Sequence, residues 1–391
     1  AGCAPRYSTF GARVRAAGAI PIGVTNQSEL GLWWESVNPV YGRTNNPYDL
    51  RRTCGGSSGG EGAMLGGGLT GFGVGSDMGG SIRLPALFCG VFGHKPTHGA
   101  VPISGHFPID YSDHRLPNPP SHRMVSIGPM SRHAFDLLPL LRVMAGACPD
   151  DPHSRDMELA DTVSLEDKRV FFLEDPRIRL ASSTGVEQAD AVRRAVRALA
   201  ERGAHVRQWD GPALTHGMAI FSAMLAGIDD GATIDQLLTG QPHLSLRREL
   251  PRMLAGTSRH AATSAFVVLG DRFAKPSRRR AARLIRLAEK LRNDIDETLG
   301  DDGVLVLPCF PTPAPRHNRT LLRPFDIAYT ALFNALDSPV TAAPMGLGER
   351  SGLPVGVQIV GARGRDHLTI SAALALETHG VARWIAPERM R

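Results

Sequence analysis

The chain has 391 residues, 42% hydrophobic and 21% charged, enough apolar material for one large core or two smaller ones. Its net charge of +6 rests largely on arginines such as Arg278, Arg279, Arg280, Arg283 and Arg286, which read as a solvated helix face; without aromatic interleaving this excludes a nucleic-acid or membrane-surface footprint. No apolar run reaches the roughly eighteen residues of a membrane span, and the five cysteines (Cys3, Cys54, Cys89, Cys148, Cys309) lack CxxC spacing, so reduced thiols in a cytoplasmic setting are expected, with no disulfide framework and no metal site.

The chain opens Ala1-Gly2-Cys3 without an initiator methionine and enters a helical pattern almost at once, which reads as a fragment. Ser8 or Thr9 can cap a short helix ended by Gly18. Ile20 to Val24 reads as a buried strand, Gln27 to Trp34 as a helix, and Asn38 to Cys54 as a polar loop. A helix is expected from about Gly60 to Leu65, a strand over Gly71 to Gly75, and a helix from Ser81 to Phe88. Further on, helices are predicted over Ser131–Met144, Gln188–Arg202, Phe325–Leu336 and Asp366–Thr378. Strands are predicted at Arg169–Leu173, His205–Trp209, Gly303–Pro308, Val340–Ala343 and Val355–Val360. The segment 213–299 is mostly helical, punctuated at Gly240-Gln241-Pro242 and Pro276, and could pack as a cap within a single domain over 1–391. Alternating strands and helices argue for one α/β core.

The chemistry concentrates between Gly55 and Pro102, around two serines 24 positions apart. One lies in Gly55-Gly56-Ser57-Ser58-Gly59-Gly60-Glu61-Gly62, the other in Asp77-Met78-Gly79-Gly80-Ser81-Ile82-Arg83. Glycines this dense mark close backbone approach. Serine hydroxyls flanked by free backbone N–H groups are the material of a nucleophile with an oxyanion hole. With Phe88-Cys89-Gly90-Val91-Phe92-Gly93-His94-Lys95-Pro96-Thr97, these stretches closely resemble the amidase signature family of serine hydrolases.

The resemblance implies a mixed, twisted β-sheet covered by helices on both sides and hydrolysis of a small-molecule carboxylic amide without a cofactor. It assigns Ser81 as nucleophile, and Ser57, after a cis Gly56–Ser57 peptide, as the relay between Ser81 and a lysine. It assigns the N–H groups of Met78, Gly79, Gly80 and Ser81 to the oxyanion hole, and Gly56, Ser58, Asp77 and Arg83 to its support. The family's lysine would lie before Ala1. Lys95 belongs to the motif and reads as structural, and Lys168, Lys275 and Lys290 read as solvated, so the 391-residue chain alone is expected to be weak or inactive. Trp33 to Ser36, Tyr41 to Leu50, Gly300 to Gly303, Arg323 to Phe325 and Ala328 to Thr330 resemble the fatty-acid amide hydrolase type 2 branch, which makes a fatty-acyl amide a candidate substrate. The resemblance thins between Asp150 and Leu299.

Two other functions stay open: the glutaminase-type subunit of a glutamyl-tRNA amidotransferase, and a non-catalytic remnant acting by binding. Homodimer formation is left open, with no nucleic-acid partner expected. Gly55-Gly56-Ser57-Ser58-Gly59 also satisfies the G-x-S-x-G elbow, but the polar run Asp49 to Cys54 before it is not the buried strand that the elbow requires. The fourteen histidines show no HExxH spacing and no cluster with Asp, so a zinc hydrolase or a Ser-His-Asp triad finds little support. Trp33 and Trp34, and the i, i+4, i+8 series Phe325, Tyr329 and Phe333, read first as packing and second as pocket lining.

Overall fold

The computed structural model describes residues 8–106, 123–226, 249, 251–253, 255, 257–273 and 276–388. A short hairpin pairs β1 (Val37–Asn38) with β2 (Gly42–Arg43). The core is one eight-stranded sheet. Its order is β3 (Phe72–Asp77), β5 (Ser126–Ser131), β4 (Phe92–Lys95), β9 (Val340–Leu347), β10 (Pro354–Gly361), β8 (Gly303–Pro308), β6 (Arg169–Phe172) and β7 (His205–Gln208).

Connection lengths explain the mixture of directions. β9 and β10 are joined by a short turn and pair antiparallel, whereas β6 and β7 are linked by the helix Val186–Ala200 and pair parallel. From β3 to β8 every neighbouring pair is antiparallel; β8–β6 and β6–β7 are parallel. The sheet is mixed, as expected.

Both faces are covered. Along β8, Val304 and Val306 join the apolar cluster that includes Leu141, Val192 and Leu376, from helices Leu137–Met144, Val186–Ala200 and Asp366–Thr378. Leu305 and Leu307 join the opposite cluster with Leu84, Ile295 and Phe333, from helices Arg83–Phe88, Arg278–Leu299 and Ala328–Ala335. A strand buried on both faces reads as a continuous apolar run, which is why Gly303 to Pro308 is legible.

Several expectations need correction. Ile20 to Val24 forms no strand, and Ile20, Ile22 and Val24 are exposed. Gln27 to Trp34 is not an α-helix: a single 3₁₀ turn spans Glu29–Gly31, broken at Leu30 with φ 52°. The helix after the second serine is Arg83–Phe88, so Ser81 sits in the turn before it. A helix is present at Leu137–Met144, but Ser131 itself ends β5. Within 213–299 the helices Gly217–Ala226, Ala262–Phe273 and Arg278–Leu299 are described; Gly240-Gln241-Pro242 and Lys275 lie outside the described residues, as does Cys3. Among the described residues no helix is long and apolar enough to cross a membrane, and no group of three His, Cys, Asp or Glu side chains could hold a metal ion.

Candidate active site

The two serine loops meet at one end of β3. The first leaves the buried segment 53–56, crosses a cis peptide between Gly56 and Ser57, and enters the helix Gly59–Gly66. A side chain cannot replace Gly56, because its Cβ would come 2.7 Å from the carbonyl oxygen of Trp33. Ser36 clamps this loop: its hydroxyl donates towards the carbonyls of Gly55 (3.0 Å) and Ser57 (3.1 Å) and accepts the N–H of Gly59 (3.0 Å). The Ser58 hydroxyl is tied to Ser76 at the end of β3, accepting its N–H at 3.2 Å and donating to its carbonyl at 3.3 Å.

The second loop is wound around one carboxylate. Asp77 Oδ1 accepts the N–H of Gly80 (2.7 Å), and Oδ2 accepts those of Ile82 (3.1 Å) and Arg83 (3.4 Å). The Arg83 guanidinium grips the same carboxylate through Nε (3.1 Å) and Nη2 (3.0 Å), both side chains being fully buried. Asn334 Nδ2 adds bonds to Oδ1 (2.9 Å) and to the Asp77 carbonyl (3.0 Å). Burial alone would raise the carboxyl pKa, but Arg83 and Asn334 outweigh it and hold Asp77 down at about 2. A buried charge survives only when saturated in this way.

Arg83 is saturated in turn by the Thr330 carbonyl (3.0 Å), Gln358 Oε1 (3.1 Å) and Asn334 Oδ1 (2.5 Å). Thr330 Oγ1 donates to the Gly79 carbonyl at 2.7 Å, so the helix Ala328–Ala335 holds the loop from behind. Gly80 has φ +127°, and a side chain there would overlap the Thr330 hydroxyl.

The loops are joined directly: the Ser58 N–H donates to the Ser81 carbonyl at 3.3 Å. Ser81 is partly exposed, whereas Ser57 is only 4% exposed, with Gly31 beside its hydroxyl. Among the described residues neither hydroxyl has a hydrogen-bond partner, and the N–H groups of Met78, Gly79 and Ser81 are likewise without one. The Gly80 N–H is committed to Asp77. The nearby thiols of Cys54 and Cys309 are pushed up to about 12 by burial and do not compete as nucleophiles.

Three other candidates fall elsewhere. The Lys95 amine is fully buried and donates to the Pro96 carbonyl at 2.8 Å; burial lowers its pKa to about 8. Lys290 is paired with Asp294 on an exposed helix face, and Lys168 precedes β6. His94 does find an aspartate that sequence spacing does not reveal: Nε2 lies 3.2 Å from Asp366 Oδ1 and Nδ1 lies 2.9 Å from Thr341 Oγ1, in a fully buried setting where, among the described residues, no serine bonds the ring. Trp33 and Trp34 stack on each other at 3.8 Å and are packed inside, as expected. Tyr329 and Phe333 are core, but Phe325 is 38% exposed, because the preceding 3₁₀ turn Pro324–Ile327 takes it off their face.

Thr330, Asn334, Gln358 and Ser36 are supporting residues outside the two serine motifs; Ser36 and Thr330 fall in stretches that carry only the branch resemblance. The signal for two of them is polar residues at i and i+4 in the otherwise apolar helix AYTALFNA.

Residues 3–370 match the family described as Amidase. The chain is 39% identical over 388 residues to fatty-acid amide hydrolase 2 of Homo sapiens, covering 97% of this chain and 70% of that protein. It is 32% identical to the homologous subunit of the glutamyl-tRNA(Gln) amidotransferase of Thermus thermophilus, covering 95% of this chain and 78% of that one. Among solved structures it is similar to 6-aminohexanoate cyclic dimer hydrolase, with a TM-score of 0.80 at 25% identity over 99% of this chain and 80% of that one.

Proposed function

Because the chain belongs to the amidase family and is an amide-hydrolysing enzyme, we propose that it cleaves small carboxylic amides, fatty-acyl amides among them, with Ser81 as nucleophile and Ser57 as its proton relay. The observation that carries this reading is the bond from the Ser58 N–H to the Ser81 carbonyl, which joins the two serine loops. Ser81 Oγ attacks the amide carbon and passes its proton to Ser57 Oγ, which releases its own to a lysine amine. The N–H groups of Met78, Gly79 and Ser81 are the available donors for the oxyanion; Gly80 contributes by keeping the loop on Asp77. The C–N bond then breaks, the leaving amine takes the proton back, and water releases the acid by the same route.

The lysine of this relay is not among the described ones, since Lys95 and Lys290 are bonded elsewhere and Lys168 sits at the start of β6. With Lys275 read from its sequence surroundings as solvated, the 391-residue chain alone is expected to turn over slowly. Fatty-acyl preference is supported by likeness to fatty-acid amide hydrolase 2, and a glutaminase role by likeness to the amidotransferase. Labelling by a fluorophosphonate and hydrolysis of an aryl amide, both lost in Ser81→Ala, test the central reading. Ammonia release from glutamine only when a partner protein is added would transfer the assignment to the amidotransferase role.

A further inference from the structure

A second feature beside the serine loops is not absorbed by this chemistry. A cleft of about 280 Å³ is lined by Arg316, Arg319 and Arg323, with the buried Phe310 at its floor and the exposed Leu322 at its edge. Among the described residues none of these three guanidiniums makes a hydrogen bond or an ion pair. The guanidiniums of Arg279, Arg280, Arg283 and Arg286 have no such partner either, but they lie along the exposed face of one helix, whereas these three converge on one cleft. In the other large cleft, Arg363 is bonded to Asp296 and Arg365 to Asp301, and Arg169 and Arg193 are likewise paired with Asp302 and Glu174. The one carboxylate lining the arginine cleft, Asp326, accepts the Ser182 N–H (2.7 Å) and hydroxyl (3.2 Å) and also feels the charge of Arg323, which leaves Arg316 and Arg319 facing no carboxylate of the lining. Three guanidiniums facing one lining carboxylate leave a net positive, partly apolar concave surface, which suits a carboxylate on an organic stem.

The cleft adjoins the site through two walls. Thr320, on its rim, accepts the Trp33 Nε1–H at 2.9 Å and donates to Glu35 at 2.6 Å, and the Trp33 carbonyl packs on Gly56. Phe310 meets Phe88 edge-on at 5.3 Å, at the end of the helix that follows Ser81. The volume suits a head group and not a long acyl chain.

We propose that Arg316, Arg319 and Arg323 form an anion subsite that holds a carboxylate carried by the amide substrate. The enzyme then favours acid-bearing amides, either monoamides of dicarboxylic acids or N-acyl amino acids, over neutral amides of the same length. This rests on the amidase reading, so the first test does not require turnover. In Ser81→Ala, the change in tryptophan fluorescence on titration with hexanoate and with hexanamide measures binding, Trp33 being one bond from the cleft rim. Hexanoate should bind about 10- to 100-fold tighter, the range of a charge-assisted bond, with the advantage shrinking as salt is added. Adding Arg319→Gln and Arg323→Gln should remove that advantage, and Arg319→Lys should keep part of it. Equal binding of acid and amide, or an advantage untouched by the arginine variants, overturns the subsite.

The second test is the ratio of kcat/KM within matched pairs. Glutaryl against pentanoyl p-nitroanilide places the carboxylate on the acyl side; 4-hexanamidobenzoate against hexananilide places it on the amine side. The pair with the larger ratio identifies the side, and the ratio should collapse in the arginine variants. A ratio near one in both pairs overturns the proposal. Retained hexanoate preference with no fluorophosphonate adduct on Ser81 and no hydrolysis of any amide overturns the Ser81 reading and leaves the subsite standing.

Discussion

Asp77 and Asp366 are both fully buried carboxylates, and both are saturated with donors. Asp366 accepts the Thr97 N–H (2.8 Å) and hydroxyl (2.6 Å) and faces His94, so it fastens the turn after β4 to the helix Asp366–Thr378. Asp77 gathers three backbone N–H groups from its own loop and leaves those of Met78, Gly79 and Ser81 without partners among the described residues. Both carboxyl pKa values are held low: burial opposes this in each, and Arg83 in one case and His94 with Thr97 in the other overcome it. The electrostatics of the two clusters are therefore alike. They differ in what surrounds them: one carboxylate closes a staple, the other props open a loop whose remaining donors find no partner among the described residues. A buried ionised group marks a functional site only when donors near it are left over.

That contrast sets the order of expected effects. Asp77→Ala should be the most damaging of the pair. It leaves the Arg83 guanidinium buried without its carboxylate, a loss of about 3–5 kcal/mol, and it frees the loop that carries Ser81, lowering kcat by about 10²–10³-fold. Chemical denaturation and steady-state kinetics on the same preparation measure both. Asp366→Asn should cost stability alone, about 1–3 kcal/mol from unsatisfied donors, with kcat kept. A kcat loss in Asp366→Asn as large as in Asp77→Ala would erase the distinction.

The acid response separates the clusters next. His94 is held below its ordinary value of 6.5, burial outweighing the attraction of Asp366, so it is neutral in the folded protein. Its contribution is full above about 6.5 and drains away as pH falls below that value, because the unfolded chain then takes up a proton that the folded one refuses. The Asp77 carboxyl, at about 2 against an ordinary 3.8, contributes fully above 3.8 and loses its share as pH falls towards 2, an order of about 2 kcal/mol in all. Denaturation midpoints across this range should show an earlier limb that His94→Gln flattens and a later limb that Asp77→Asn flattens. A single limb, insensitive to His94→Gln, would mean that the staple carries no titrating load.

Lys95→Met, like Asp366→Asn, is expected to have little effect on catalysis. The amine is fully buried and bonded to the Pro96 carbonyl. Its removal should change kcat by far less than the roughly 10²–10⁴-fold loss that follows deletion of a general base. A loss in that range would make Lys95, whose pKa near 8 suits a base, the missing partner of Ser57.

Much of the molecule is legible in the sequence where the cause is local. The two serine loops, the strand Gly303–Pro308 and the helix Asp366–Thr378 follow from glycine density, a continuous apolar run and helical periodicity. What escapes depends on partners far along the chain. Asn334 reaches Asp77 across 257 positions and His94 reaches Asp366 across 272, and no local pattern announces either pair. Ile20 to Val24 shows the opposite failure: its apolar, β-branched composition predicts a buried strand, but a strand also needs a neighbour, and none pairs with it among the described residues. The helix expected from Ser81 is Arg83–Phe88, with the Leu84 N–H bonded to the Gly80 carbonyl and Asp77 capping the otherwise free N–H groups of Ile82 and Arg83 at its start.

The central claim is that Ser81 is the nucleophile on a loop shaped by Asp77. The most direct measurement is the site and rate of fluorophosphonate labelling, read by peptide mass spectrometry for the unmodified sequence, Asp77→Asn and Asp366→Asn. The account predicts one adduct, on the peptide containing Ser81, formed at similar rates in the unmodified protein and Asp366→Asn and at least about tenfold more slowly in Asp77→Asn. An adduct on another residue, or equal labelling in Asp77→Asn and Asp366→Asn, would contradict it.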